Sequence, residues 1–449
     1  MAKFYFATTK SKINNLKLFS LMFRLFFLLQ LITFPYWVNS QNPYNVYFGN
    51  LHSHTDYSGG VSNPRRAFIY ARDTAQLDFL AVTDHLESIY YSSYEWDSTK
   101  IMANEATSNG TFVGIAGYEW TSPTYNHCNV YNTPDMVSVL NVNNWNAFVQ
   151  SVVNKIPAFA QFNHPGLTGT NGWNSLAYMG VLPDSVFALM EINSAIQEIF
   201  YTIALDSNWH VSPSNGQDNH DADWGTKDDG RTGIWASQLS RTALFDAIKA
   251  GRTFATFDKN ASAWLDIGGS PIGSRIPYSS NIQVHVVLND ANAESWNYIQ
   301  LVGANTQLFC NISNHGAALD TTITINPSVS KWIYLRAKQT DEQYIYSAPF
   351  YIVGLPTGVN ENTESDKIKL SISPDPLTEF SVITFNTLQP KHVTLKIFDI
   401  LGRWISTLCD QKLPEGKHKF NIPSAILTQG IYLLEYNDSR VCKTIKIIR

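Results

Sequence analysis

The sequence predicts an α/β protein, a βα barrel followed by two small β units, and three observations predict it. Between residues 41 and about 260, short apolar runs alternate with helical patterns. Histidines and carboxylates stand at or near the ends of those runs, where a βα barrel carries its site. Beyond 260 the pattern gives way to short alternating stretches divided by turn residues. At 449 residues the chain is long enough for more than one domain, at ~100–200 residues each.

The first element is the N-terminus. Lys3, Lys10, Lys12 and Lys17 precede an apolar stretch from Leu18 to Trp37, interrupted by Arg24, Gln30 and Pro35. Val38-Asn39-Ser40 then offers a cleavage site with a small residue last, the layout of a secretory signal peptide over residues 1–40. A run of 20 residues could just span a bilayer, but Arg24 inside it and Ser40 after it favour cleavage. No later segment is long and apolar enough to span, so the expected mature protein is exported and carries no transmembrane anchor. A net charge of -5 offers no general attraction for nucleic acid or anionic lipid. Cys128, Cys310, Cys409 and Cys442 are too few and too scattered for a disulfide framework or a thiolate metal site. Cys409 and Cys442 could pair in an oxidising compartment, or all four could be small buried apolar groups.

Within the segment 41–260, Val46–Leu51, Asp78–Thr83, Phe112–Ala116, Pro157–Phe162 and Val186–Ile192 read as buried parallel strands. Between the first two, Pro64 starts a helix with Ala67, Phe68, Tyr70 and Ala71 on one buried face. Leu239–Gly251, with Leu244, Phe245 and Ile248, reads as a closing helix stopped by glycine. The first strand runs into Leu51-His52-Ser53-His54. Imidazoles two residues apart on a strand point to one face, so the pair can chelate a metal ion. Val82-Thr83-Asp84-His85, Gly117-Tyr118-Glu119, His127, Asn163-His164-Pro165 and Asp218-Asn219-His220 follow at the ends of later runs. Of the chain's 11 histidines, seven lie between residues 52 and 220, and six of those occupy these positions; we read them as ligands of one multinuclear metal site. His210 is the seventh, matches no such position and reads as a packing histidine.

These motifs, in this order, resemble the PHP (polymerase and histidinol phosphatase) superfamily of metal-dependent hydrolases, in a secreted branch similar to carbaryl-hydrolase-like proteins. The resemblance covers residues 47–258. It implies a distorted (β/α)7 barrel with two or three divalent ions. Carried over position by position, His52 and His54 would hold a first metal with Asp218 and Glu119. Glu119 would bridge to a second held by His127 and His164, and His85 and His220 would hold a third. The family completes that third site with an aspartate in a Tyr-Ser-Asp-Gly stretch, and here the stretch is Tyr57-Ser58-Gly59-Gly60.

Residues 261–355 include Ile282–Leu288 and Lys331–Arg336, alternating stretches that suggest a small β-sandwich. Residues 356–367, with Pro356, Gly358, Asn360, Asn362 and Ser365, read as an exposed linker. Residues 368–449 read as a second antiparallel β unit. Leu370-Ser371-Ile372-Ser373-Pro374-Asp375-Pro376, Leu395–Gly402, Gly430–Leu434 and the basic ending Lys443–Arg449 make it similar to the C-terminal sorting domain of the type IX secretion system. That resemblance implies export across both membranes and contact with the secretion machinery.

Neutral imidazoles and carboxylates suit Zn, Mn or Fe. Such an ion lowers the pKa of its water to ~7 and so supplies hydroxide at neutral pH. Ions sharing Glu119 could grip a phosphate, so the expected activity is hydrolysis of a small, phosphorylated ester. A metal-dependent carboxylic or carbamate ester hydrolase, or a non-catalytic surface binding protein, are the alternatives. Asp84 is expected to orient a ligand or accept a proton. Glu191, which ends a strand, is a further candidate to brace a ligand. Arg231, in Asp229-Gly230-Arg231-Thr232-Gly233, is expected to pair with a substrate phosphate or carboxylate or to form a plain salt bridge.

Overall fold

Phe79–Val82 has all four residues buried, as a strand covered on both faces of a parallel ladder must be. It is β2, and β1 (Asn45–Asn50) and β3 (Val113–Ser122) flank it in parallel. The computed structural model describes residues 42–138, 143–166, 172–327, 330–355, 370–374, 376–387, 389–399, 404–423, 426–438 and 442–449. The expected signal peptide and linker lie outside the described residues.

Six further strands complete this part of the sheet: β4 (Asn126–Tyr131), β5 (Phe159–Phe162), β6 (Phe187–Glu191), β7 (Ser212–Ser214), β8 (Arg231–Ala236) and β9 (Thr253–Thr256). Their order is β9-β8-β1-β2-β3-β4-β5-β6-β7. The pairs β5/β6 and β6/β7 are parallel. β4 is antiparallel to both neighbours, as is β8, so these two strands run against the rest. The five strands expected from the apolar runs are present, and the reversed strands were not expected.

The sheet curls until its ends meet, but no backbone ladder joins β7 to β8 or β9 among the described residues. Side chains bridge the seam. Thr253 Oγ1 donates to Pro213 O at 2.7 Å, Asn215 Nδ2 to Thr256 O at 2.9 Å, and Thr232 Oγ1 exchanges bonds with the Asn215 main chain at 2.9 and 3.0 Å. Pro213 has no N–H to give on that side, which is why a hydroxyl stands where a ladder would continue. The expected α/β architecture is present, while closure into a barrel is not shown by the ladders.

Helix α1 (Pro64–Asp73) links β1 to β2. Asn63 caps it by accepting from Arg66 N, and Ala67, Phe68 and Ala71 are buried. Tyr70 is only half-buried and donates or accepts at Thr226 Oγ1, 2.8 Å away. Helix α2 (Arg241–Lys249) has Ser240 as its cap, buries Leu244, Phe245 and Ile248, and stops at Gly251 with φ +70°.

The sheet does not end at residue 260. β9 pairs antiparallel with Tyr344–Ser347, which pairs with Trp332–Gln339, so the following β unit shares the same sheet. A separate four-stranded sheet built on Ala261–Ile267 and Ile282–Asp290 packs against it. Leu265, Val284, Val286, Ile299, Leu301 and Leu335 fill the core between them. The ion pair Arg336–Glu198 at 2.9 Å and the bond from Trp332 Nε1 to Asp206 Oδ1 at 3.0 Å fix this unit to the helix Glu198–Asp206.

The C-terminal unit is a pair of antiparallel sheets around Ile383, Phe385, Leu395, Ile397, Leu434 and Ile447. Cys409 lies on one edge strand (Trp404–Leu413) and Cys442 on the opposite edge (Cys442–Ile448), with two strands between. At ~4.8 Å per strand that separation far exceeds the span of a disulfide, and Cys409 is a free, buried thiol. No helix among the described residues is long and apolar enough to cross a membrane.

Candidate metal centre

Each strand delivers its polar residue at the same end of the sheet. β1 runs into His52 and His54, both fully buried. Between them Ser53 bridges Asn219, and its hydroxyl donates to Ala81 O at 2.6 Å, which pins this stretch to β2 and to the segment beyond β7. β2 leads to Asp84 and His85, and His85 bridges Glu119 on β3. The β3–β4 hairpin sets His127 opposite Thr121. β5 leads to Asn163 and His164, β6 ends on Glu191, and the chain beyond β7 supplies Asp218 and His220.

Glu119 is the hub. It is 1% exposed, and five imidazoles surround it. Oε1 lies 3.2 Å from His52 Nε2 and His127 Nδ1 and 3.3 Å from His164 Nε2, and it accepts from Asn163 Nδ2 at 2.8 Å. Oε2 lies 2.8 Å from His85 Nδ1 and 3.5 Å from His54 Nε2. Asp218 Oδ1 lies 3.1 Å from His54 Nε2 and 3.4 Å from His52 Nε2. The rings of His54 and His220 stack at 4.3 Å. His85 and His220 are 22% and 42% exposed, so the cluster opens on their side.

In this cluster three groups of donor atoms converge within 4.8 Å: His52, Glu119 and His164; His52, His54 and Asp218; and His54, His85 and His220. His127 approaches Glu119 without joining a three-donor group. The expected third pair, His85 and His220, thus gains His54.

Several of these atoms approach closely without making hydrogen bonds. Glu119 Oε2, His127 Nδ1 and His164 Nδ1 are buried and have no hydrogen-bond partner. A buried carboxylate oxygen left unpaired among imidazole lone pairs is costly, and divalent cations among these donors would satisfy it. The nitrogen and oxygen donor set, without thiolate, suits Zn, Mn or Fe.

The charges respond accordingly. Burial works to raise the Glu119 carboxyl, but facing His52, with His127 and His164, holds it well below the usual carboxylate range. For His52, burial opposes charge, and Glu191, Asp218 and Glu119 together hold it well above its ordinary value. Burial pushes His54 down to about 4 against the pull of Asp218.

Asp84, expected to orient a ligand or accept a proton, and Arg231, expected to pair with substrate or form a salt bridge, are both turned into the protein's own loops. Asp84 is 2% exposed and its oxygens are taken by the 54–58 turn: Oδ1 accepts from Thr55 N at 2.7 Å and Ser58 Oγ at 2.5 Å, Oδ2 from Thr55 Oγ1 at 2.7 Å. Ser58 Oγ in turn lies 3.1 Å from His54 Nδ1. Because the hydroxyl donates to Asp84, it accepts from Nδ1–H and leaves His54 Nε2 free for a ligand bond. Asp84 is therefore held by this turn and is linked to His54 through Ser58. Arg231 is 5% exposed and donates from Nη1 to Gly230 O and Asp228 O at 2.7 and 3.1 Å, and from Nη2 to Gly225 O at 2.7 Å. Three backbone carbonyls consume the guanidinium, so it braces the loop that carries Asp218 and His220.

Sequence reasoning passed over Asn163, Gln161, Ser58 and Asn219. Asn163 aims Glu119, and Asn219 accepts from Asn50 Nδ2 at 2.9 Å while its carbonyl takes His54 N–H at 2.9 Å. For Asn163 and Asn219 the available signal was their position beside the clustered histidines in Asn163-His164 and Asn219-His220. Gly59 has φ +88° and open space around it, and Asp56 is exposed, so neither places a carboxylate in the His54–His85–His220 group.

Residues 371–449 match the family of secretion system C-terminal sorting domains. The C-terminal unit is such a domain, and it directs the protein through type IX secretion to the cell surface or the medium. No curated protein matches the chain. Among solved structures, a two-domain protein from Bacteroides vulgatus containing a predicted PHP-like metal-dependent phosphoesterase is similar over 69% of this chain and 96% of that one, with 16% identity and a TM-score of 0.37. PorZ, a surface component of the type IX secretion system of Porphyromonas gingivalis, is similar over 49% of this chain and 37% of its own, at 10% identity and TM-score 0.15.

Proposed function

We propose that the protein is an exported metal-dependent hydrolase acting on a phosphate ester, with a functional unit spanning residues 41–260. The observation that carries the reading is Glu119: a fully buried carboxylate ringed by five imidazoles, with one oxygen lacking any hydrogen bond. His52, His54, His85, His127, His164, His220, Glu119 and Asp218 would hold two or three ions. When bound, such ions supply Lewis acidity and offset the charge of a phosphoryl group. The chain's own residues do the rest. Glu119 and Asp218 provide the anionic donors, Asn163 holds Glu119 in place, and the Asp84–Ser58 relay keeps His54 Nε2 unprotonated. The opening beside His85 and His220 admits substrate.

The second reading is hydrolysis of a carboxylic or carbamate ester. One observation leaves room for it: the guanidinium of Arg231, expected to pair with a substrate phosphate or carboxylate or to form a plain salt bridge, is spent on backbone carbonyls and so supplies no phosphate clamp. A panel of phosphate, carboxylic and carbamate esters, run with added zinc or manganese and again with chelator, separates the two. Chelator-sensitive turnover of a phosphate ester supports the first reading. Turnover confined to carboxylic or carbamate esters would replace it with the second. No turnover on any ester by metal-loaded protein would leave a metal-binding surface protein.

A further inference from the structure

Glu191 is wholly buried at the end of β6, and its two oxygens serve two different histidines. Oε1 accepts from His52 Nδ1 at 2.8 Å and from Gln161 Nε2 at 2.9 Å. The Gln161 oxygen itself accepts from Ser214 Oγ at 3.0 Å, which fixes the amide with its N–H2 towards Glu191. Oε2 accepts the backbone N–H of His164 at 2.5 Å. His164 has φ +32°, a conformation that costs energy for a residue with a Cβ and persists only where neighbours enforce it. His52 and His164 share one converging group with Glu119. Across the carboxylate stands Gly216, where a Cβ would lie 2.2 Å from Glu191 Oε1 and 2.7 Å from His52 Cβ. Only glycine leaves room for this approach.

We propose that Glu191 is a positioning residue that sets two metal ligands together, turning His52 through Oε1 and seating the His164 backbone through Oε2. The proposal rests on the metal reading given above. A carboxylate at Nδ1 makes Nε2 the lone-pair atom of His52 and increases its basicity as a ligand. Glu191 accepts every bond it makes and donates none. Glutamine has the same shape but must put its N–H2 at one of the two places. At the Oε1 position it opposes His52 Nδ1–H and Gln161 Nε2, and at the Oε2 position it opposes His164 N–H. Either way one ligand is misplaced.

The test uses zinc alone, titrated into the chelator-treated full chain against a chromophoric competitor, with histidine ¹H–¹⁵N spectra assigning the occupied sites. Glu191→Gln should weaken zinc at the sites that use His52 and His164 by ~10–100-fold. The site formed by His54, His85 and His220 should keep its affinity. Equal affinity at every site in variant and parent overturns the proposal. So does uniform weakening at all sites, which would mark a general structural role. If Glu191→Gln does not fold, Gly216→Ala decides. That variant leaves every charge in place and displaces the carboxylate, so the same selective loss supports the proposal and parental affinity overturns it. Parent protein that binds no zinc refutes the metal reading itself, an outcome separate from parent and variants binding alike.

Discussion

Arg231→Ala distinguishes a loop brace from a substrate clamp. The guanidinium is 5% exposed and makes three bonds to the carbonyls of Gly225, Asp228 and Gly230. Truncation leaves these acceptors short of donors. At ~1–3 kcal/mol for each buried group left unsatisfied, and allowing for water entering the space, the loss is ~2–5 kcal/mol. A domain with ~5–15 kcal/mol of stability survives this, so the variant should be purifiable. The loop also holds Asp218 and His220, and Gln217 Nε2 is bonded at 2.8 Å to Asp228 O within it. Zinc affinity should therefore fall together with stability. Urea unfolding, with the slope checked for constancy, reads the first effect, and chelator competition reads the second. Arg231→Lys should be intermediate at best, because one ammonium cannot serve carbonyls on both sides of the fork. If Arg231→Ala unfolds within ~0.5 kcal/mol of the parent and keeps its metal while KM alone rises, the side chain is binding substrate and the brace is wrong.

Further outcomes follow from the same geometry. Glu119→Gln should lose most bound metal and all hydrolysis, since one carboxylate meets five imidazoles; parental metal content in that variant would remove the hub. The group His54, His85 and His220 has only imidazole donors and two half-buried members, so its ion should leave first as chelator is added; a single release step for all ions would contradict this. His285 lies 2.8 Å from Asp266 Oδ2 and 2.9 Å from Asp320 Oδ1; burial works to lower its pKa, and the two carboxylates outweigh it and raise it. Its stabilisation is then fully present below the unfolded value of ~6.5 and is lost as pH rises through the higher folded value. An NMR titration should show that elevation and show it shrink in Asp266→Asn and Asp320→Asn. Mass spectrometry of protein exported by its native host should find no peptides from about residue 368 onward if the sorting domain is removed after transit; mature protein retaining Ile447 and Arg449 would show that it stays.

The clustering of these residues was legible because the strand period of two does the work: His52 and His54 must share a face, and an apolar run that ends on Glu119 or Asn163-His164 announces a strand with a polar tip. The β3–β4 reversal was not legible. It depends on a short turn at Ser122–Asn126, with Asn126 at φ +69°, inside what reads as continuous chain. The open seam depends on Pro213 meeting the Thr253 hydroxyl, a contact across 40 residues. Arg231 misled for a related reason. Its place on a polar loop after the ligands says nothing about whether the guanidinium turns outward to substrate or inward to the loop's own carbonyls. For Asp84 the sequence left orientation and proton transfer open, and the contact to the Ser58 hydroxyl, which lies beside His54 Nδ1, needed coordinates.

The metal centre is the claim on which the functional reading depends, and elemental analysis of the chain purified without added salts tests it most directly. After gel filtration the protein should carry two or three equivalents of Zn, Mn or Fe, removable by chelator and largely lost in Glu119→Gln. Correctly folded protein that holds no divalent ion, and takes none up when zinc or manganese is supplied, would contradict the account.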